Sequence, residues 1–310
     1  MDLEPYRREL LVHCYRMLGS VHDAEDLVQE TMLRAWRAAD QYDPARASLR
    51  TWLYRIATNA CLTALKQGGH RPLPSGLVAM GEDPTAPLRP GGEVTWLQPL
   101  PDTMLGGDPA AVVGLRGSLR LALIAAMQLL PARQRAILIL REVLGLSAAE
   151  VADALETTTA AVNSGLQRAR ARLEGAALEE EQLADAGDRE VLDRYVAAFE
   201  NADVPALKRL LADDAILEMP PFLNWYSGAD AYAAFMGRVY GLRGTDWRLV
   251  PAPSANGQPA FAAYVRAEDG VMRLHTLQVF AVSKGRVEHN VVFMDQAVFD
   301  LFGLAPTLEA

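Results

Sequence analysis
The sequence predicts a multidomain chain: two all-α helical parts, the second carrying a helix-turn-helix, joined by a Pro/Gly-rich linker and followed by a C-terminal α+β domain. Three observations predict it. Apolar residues recur at helical spacing through residues 2–67 and again through 116–173. Composition breaks after Gln67, where Pro and Gly accumulate and periodicity fades until about residue 109. Beyond Asp188, two helical stretches give way to runs of β-like alternation.

The first helix is expected over 2–18, with Leu10, Leu11, Cys14, Met17 and Leu18 on one face and Gly19 at its C-terminal cap. The second, 22–39, buries Ala24, Leu27, Val28, Thr31 and Ala35. Asp23, Asp26, Glu30, Arg34 and Arg37 lie opposite, acids first and bases last, as the helix dipole prefers. Ser48 caps a third helix, in which Leu49, Trp52, Leu53, Ile56 and Ala60 face inward. Thr51, Arg55, Thr58, Asn59, Leu62 and Lys66 are expected on its outer face.

The linker contains Trp96, Leu97 and Leu100, which suit an apolar anchor against a neighbour. Helices resume at 116–130 and from Pro131 to Leu144, ending at Gly145. Ser147-Ala-Ala-Glu150 is a capping box opening a short helix over 147–155, and a further helix runs from Thr159 to Leu173. In the C-terminal part, helices are expected at 188–201, 204–212 and 228–239. Strands are expected at 214–219, 246–252, 259–267, 271–283 and 286–295.

The net charge of −9 argues against nucleic acid until it is divided. Residues 1–173 hold 19 basic and 18 acidic side chains, whereas 174–310 hold 11 and 21. Within the first part, acids cluster over 9–30 and bases over 34–71, which suits separate partners for separate surfaces. No apolar run approaches the ~18 residues of a membrane span, and the N-terminus lacks a signal pattern. A cytoplasmic protein without membrane contact is expected. Cys14 and Cys61 stand alone, without CxxC or clustered His, so core thiols are expected rather than a disulfide or a metal site.

The helices at 147–155 and 159–173 have helix-turn-helix proportions. Thr159, Asn163, Ser164 and Gln167 come early enough to reach base edges, and Arg168 and Arg170 suit phosphates. Plain bundles contain such helix pairs too. The third helix offers a second basic surface near aromatics, with Arg50, Tyr54 and Arg55 and, in the loop before it, Tyr42. The spacing places Trp52 in the core.

Four segments then carry a resemblance. Asp23-Ala-Glu-Asp-Leu-Val-Gln-Glu-Thr-Met-Leu-Arg-Ala-Trp36 resembles the helix of sigma-70 family factors that docks on the polymerase clamp helices. Ser48-Leu-Arg-Thr-Trp-Leu-Tyr-Arg-Ile-Ala-Thr-Asn-Ala60 resembles the helix that reads the melted minus-ten element. Leu130-Pro-Ala-Arg-Gln-Arg-Ala-Ile-Leu-Ile-Leu-Arg-Glu142 and Val162-Asn-Ser-Gly-Leu-Gln-Arg-Ala-Arg-Ala-Arg-Leu173 resemble the fourth region, which binds the minus-thirty-five element. Their order resembles that of the extracytoplasmic-function group. The stretch from Glu200 to Pro221 resembles the helix-into-strand entry of SnoaL-like, NTF2-like cone domains. Met219-Pro-Pro-Phe-Leu-Asn-Trp-Tyr-Ser-Gly228 is similar to the tails of sigma-G-like factors in particular.

The resemblance implies sigma region 2 over 1–70, a linker over 71–115, region 4 over 116–178 and the SnoaL-like domain over 187–310. Asp23, Asp26, Glu30 and Leu33 would meet the polymerase clamp helices, and region 4 the flap of a large subunit. Tyr42, Arg50, Tyr54, Arg55, Thr58 and Asn59 would face melted promoter DNA, with Thr159, Asn163, Ser164, Gln167, Arg168 and Arg170 at the upstream element. Asn163 and Gly165 replace the Lys and Arg of most relatives, which should weaken phosphate contact, and Glu156 occupies a tight turn where Gly is frequent. Trp225, Tyr226, His275, Gln278 and Asn290 are candidate pocket groups for a small-molecule ligand. Regular pairing would put His275 and Gln278 on opposite strand faces, because their spacing is odd. No catalytic residue, metal or cofactor is implied, and a cis-regulatory tail is expected. Two alternatives stay open: a ligand-responsive DNA-binding regulator that needs no polymerase, and a SnoaL-like enzyme fused to a helical DNA-binding part.

Overall fold
The computed structural model of the chain describes residues 2–106, 118–173 and 186–308. The end of the expected linker, the start of the helix expected at 116 and the tail of the expected fourth region lie outside the described residues. The chain forms two compact units. One comprises Met1–Pro72, Leu97–Leu100 and Met104–Glu179; the other comprises Leu73–Trp96, Pro101–Thr103 and Glu180–Ala310.

The first unit is helical. α1 (Arg7–Leu18), α2 (Val21–Arg37) and α3 (Leu49–Gly68) pack pairwise around Leu10, Cys14, Met17, Val28, Trp52 and Leu53. Gly19 ends α1 in the left-handed region, at φ 68°. The Ser20 hydroxyl accepts from the Asp23 amide to open α2, and Ser48 does the same for α3 through Thr51. Then come α4 (Leu121–Gln128), α5 (Ala132–Leu138, continued by a π-turn over Ile139–Val143), α6 (Ala148–Ala154) and α7 (Thr159–Leu173). Both halves of the Ser147/Glu150 capping box are present. Cys14 and Cys61 are free and buried, and burial together with the neighbouring Cys14 thiol pushes Cys61 up.

The two helical parts share this unit. α1 packs on α4 and α5, and α3 packs on α5. Two fully buried arginines join them. Arg16 donates to the Ser118 hydroxyl at 2.5 Å, and Arg135 donates to the Met17 carbonyl and to the Gln128 side chain at 2.6 Å. Burial draws both guanidinium groups down to about 10, so both stay charged at neutral pH.

The second unit holds α8 (Ala186–Glu200), α9 (Val204–Leu210) and α10 (Ala229–Arg243) against a seven-stranded sheet. Its strands are β1 (Leu211–Glu218), β2 (Trp225–Ser227), β3 (Trp247–Ala255), β4 (Gln258–Arg266), β5 (Met272–Ser283), β6 (Arg286–Phe293) and β7 (Thr307–Leu308). The order is β2-β1-β6-β5-β4-β3, with β7 paired to β5, and only β1 and β6 run parallel. Helix α11 (Gln296–Leu301) precedes β7. The core between helices and sheet is rich in aromatics: Tyr195, Phe199, Tyr232, Phe235, Trp247 and Phe280.

The linker departs from expectation. An irregular tether was expected, yet residues 73–96 form a strap on the sheet unit. Gly81 donates to the Trp225 carbonyl at 3.0 Å, Gly91 to Pro221 at 2.9 Å, and Leu223 to Arg89 at 2.8 Å. Leu97 and Leu100 are buried in the helical unit. There the Gln98 amide donates to Gly19, and its side-chain oxygen accepts from the Ser20 hydroxyl and the Val21 amide. Pro and Gly suppress helix and strand, but they do not prevent extended backbone from finding partners.

Candidate functional site
The outer face of α2 carries the expected acids. Asp26 is exposed and has no ion-pair partner among the described residues. Glu30 holds Arg34 at 2.5 Å, and Asp23 holds Arg71 at 2.5 Å. Leu33 is 45% exposed on the same face and Trp36 68%. An exposed leucine beside an exposed tryptophan marks an interaction surface better than either alone. Trp36 was not singled out from the sequence; its spacing three residues after Leu33 is the signal that points to it.

On α3 the structure corrects two expectations. Tyr54 and Thr58 are buried rather than facing outward. The Tyr54 hydroxyl donates to Glu9 at 3.0 Å, and Thr58 donates to the Tyr54 carbonyl and meets His13 Nε2 at 2.9 Å. The reason is that α1 and α2 flank α3, so its buried arc is wider than one apolar stripe. Burial drives the His13 imidazole down to about 3, with Arg16 adding to the effect, and pushes the Tyr54 phenol up. Arg50 stays at the surface, bonded to Glu9 at 2.7 Å. Tyr42 lies against Trp52, with ring centroids 5.2 Å apart, and Trp52 is buried as its spacing predicts. Arg55 and Asn59 do emerge from α3, and both meet α6. Arg55 lies 3.6 Å from Asp153, and Asn59 donates to the Ala154 carbonyl at 3.5 Å.

On α7, Thr159, Asn163, Gln167, Arg168 and Arg170 are exposed and Ser164 is half-buried. Arg168 donates to Ser164 at 2.5 Å, and Arg170 pairs with Glu142 at 2.7 Å. Gly165 points inward. A Cβ there would stand 2.6 Å from the Ile137 tip, so this position packs α7 on α5 and never offered a phosphate contact. A side chain at Gly165 would meet Ile137 rather than DNA, whereas Asn163 is exposed. Glu156 takes φ 50°, the left-handed turn its position demands.

In the sheet unit, a cavity of about 300 Å³ opens between α10 and the inner sheet face. His275, Gln278 and Asn290 line it together. The pairing of β4 with β5 steps from Ala263↔Thr276 to Tyr264↔Leu274, leaving His275 as an unpaired bulge. That extra residue resets the alternation, which regular pairing forbade. Burial and the Arg243 charge draw His275 down to about 4, so its imidazole is neutral. Trp225 and Tyr226 do not line the cavity; they hold the strap. Trp225 Nε1 donates to the Val78 carbonyl at 2.9 Å, and Tyr226 donates to Asp83 at 3.4 Å. An acid–His pair invisible in the sequence does exist. Glu218 meets His289 Nε2 at 3.0 Å, and its other oxygen accepts from the Ser75 amide at 2.8 Å. It is not part of the cavity lining.

Over 98% of its length the chain is 50% identical to the ECF RNA polymerase sigma factor SigG of Mycobacterium tuberculosis, covering 83% of that protein. The chain belongs to the ECF RNA polymerase sigma factors. Residues 3–71 match Sigma-70 region 2, residues 120–173 match Sigma-70 region 4, and residues 192–290 match the SnoaL-like domain. The probable ECF sigma factor SigI of M. tuberculosis is 26% identical over 95% of the chain and 92% of its own length. The crystal structure of M. tuberculosis SigJ superposes with a TM-score of 0.68 at 23% identity, covering 98% of this chain and 99% of that one, and so shares the fold.

In this sigma factor the exposed α2 face and α3 fall within the region 2 match, and the exposed α7 face within the region 4 match. The cavity falls largely within the SnoaL-like match, with Leu88 of the strap added to its wall. Among the described residues no helix is long and apolar enough to cross a membrane, and no group of three or more His, Cys, Asp or Glu could hold a metal ion.

Proposed function
We propose that this sigma factor docks on the clamp helices of core RNA polymerase through Asp23, Asp26, Glu30, Leu33 and Trp36 of α2, and directs promoter recognition through α3 and α7. The observation that carries the reading is the α2 face, where a run of acids leads along the helix to two large apolar side chains, Leu33 and Trp36, that stand exposed. Tyr42, Arg50, Arg55 and Asn59 would serve the melted minus-ten strand. Thr159, Asn163, Gln167, Arg168 and Arg170 would serve the minus-thirty-five duplex, with region 4 near the flap. Tyr54 and Thr58 shape α3 from within. The work is done in the cytoplasm, where polymerase and promoter are.

The compact helical unit supports regulation in cis. The two promoter elements lie roughly 25 base pairs apart, about 85 Å of B-form DNA. Arg55 and Asn59, bonded to α6 of the helix-turn-helix, cannot attend the first element while that motif attends the second. The unit must open to work. Its junction suits opening, because Arg16, Arg135 and Gln128 are polar groups that water can satisfy once released. The SnoaL-like domain holds the strap that joins regions 2 and 4, which gives it a handle on that opening. Its cavity is the place for a small-molecule ligand, and because the Glu218–His289 pair lies outside its lining the domain works as a receptor rather than an enzyme.

Transcription with purified core polymerase tests the reading. RNA should start at a specific promoter only when the chain is added, and a chain lacking 187–310 should start it with altered efficiency. A chain that neither binds core enzyme nor supports initiation at any promoter tried overturns it.

A further inference from the structure
The SnoaL-like cavity has a polarity that specifies its ligand. Its walls are apolar, with Leu217, Met219, Phe235, Met236, Val292 and Met294. At its base Asn290 is 1% exposed. Both amide hydrogens of Asn290 are spent, one on the Tyr232 hydroxyl at 2.7 Å and the other on Gln278 Oε1 at 3.0 Å. These two bonds set the amide's orientation and leave its Oδ1 as a buried acceptor with no partner. Such an acceptor is costly to leave empty, and a donor on a ligand would remove the cost.

The rim is different. Arg238 and Arg243 of α10 line the cavity, and neither makes an ion pair among the described residues. Leu242 beside them is 67% exposed. Two guanidinium groups free of ion pairs among the described residues, Arg238 within the field of the strap's Asp83 carboxylate, stand at the mouth of an apolar cavity and select an anion there, and partial solvent contact spares its charge full desolvation. The third basic group, His275, is neutral by virtue of its burial and adds a hydrogen-bonding edge rather than a charge.

We propose that the cavity binds a small cyclic hydroxy acid, its carboxylate held at the rim by Arg238 and Arg243 and its hydroxyl donating to Asn290 Oδ1. The volume sits at the lower end of the roughly 300–1,000 Å³ found for small-molecule sites, which suits a body of two fused rings. The strap contributes Leu88 to the wall, so an occupant packs against the segment that joins regions 2 and 4. This deepens the ligand reading of the same cavity, and binding itself does not depend on the sigma activity.

The test uses the full chain and three probes: 6-hydroxy-2-naphthoate, 2-naphthoate, which lacks the donor, and 2-naphthol, which lacks the acid. Titration calorimetry should show the hydroxy acid binding at least tenfold more tightly than either. Arg238→Ala with Arg243→Ala should erase its advantage over 2-naphthol. Hydrogen exchange across residues 78–91 should slow when it is bound. Equal affinity for all three probes overturns the ligand class while leaving a pocket. Binding of none at millimolar concentration overturns the pocket as well. Unchanged exchange over 78–91 overturns the role of Leu88. Promoter-directed RNA synthesis without any probe, run alongside, reports the sigma activity separately.

Discussion
The guanidinium of Arg135, in α5, donates to the backbone carbonyl of Met17, at the end of α1. This single side chain ties region 4 to region 2, and it also binds the Gln128 side chain and the Gln128 and Leu130 carbonyls. Arg135→Met keeps the length and removes the donors, leaving buried acceptors unmet. The urea midpoint of the chain should fall by the equivalent of about 3 kcal/mol. An unchanged midpoint would show that the junction contributes nothing to the unit.

Asp26→Lys and Glu30→Lys should each abolish binding to core polymerase while leaving the circular dichroism spectrum and melting temperature unchanged. Trp36→Ala should weaken binding at least tenfold, as a large aromatic at the centre of an interface does. Because Trp36 is 68% exposed, its removal should change stability by less than about 0.5 kcal/mol. Retained pull-down of core enzyme by all three variants would remove α2 as the docking face.

Asn163 and Gly165 lie two residues apart on α7 and should answer an added cation oppositely. Asn163→Lys faces outward and should tighten promoter binding with no loss of stability, steepening the logarithmic salt dependence by about 0.9. Gly165→Arg drives a side chain against Ile137 and should cost about 1–3 kcal/mol by overpacking. Thermal melts and a salt series of DNA-binding isotherms separate the two.

His13 makes stability depend on pH. Its imidazole stays neutral in the folded unit down to about pH 3, whereas the unfolded side chain takes a proton near 6.5. Protons therefore favour the unfolded chain. The contribution is complete above pH 6.5 and is lost as pH falls toward 3, by at most about 1.4 kcal/mol per pH unit. Urea unfolding between pH 4 and 8 should show this slope, and His13→Gln should flatten it.

The strap can be tested through Trp225. Trp225→Phe removes the donor to the Val78 carbonyl while keeping a ring in place. Limited proteolysis should then cut within 76–92 several times faster, with little change elsewhere.

Helical and strand periodicity are local properties, so they were legible in the sequence. The expected helices 22–39 and 159–173 and the strands 271–283 and 286–295 match α2, α7, β5 and β6 to within a few residues. Short elements without a period of their own, β2, α11 and β7, escaped: partner strands define β2 and β7, and α11 has only six residues. The exposed faces of α2 and α7 were readable for the same reason as the helices. The inward turn of Tyr54 and Thr58 was not, since it depends on two neighbouring helices enclosing α3.

By itself the sequence determined the order of elements, the acidic and basic faces, the caps at Ser48 and Ser147, and the family resemblance. All of these rest on residues close together in the chain. Only the tertiary structure decided that regions 2 and 4 close on buried Arg16 and Arg135, that the Pro/Gly-rich linker becomes a strap on the sheet, and that a bulge at His275 turns it into the cavity beside Gln278. Each of these depends on a partner many residues away, and the energy that settles it, burial of a charge or pairing of a backbone amide, exists only once that partner is in place.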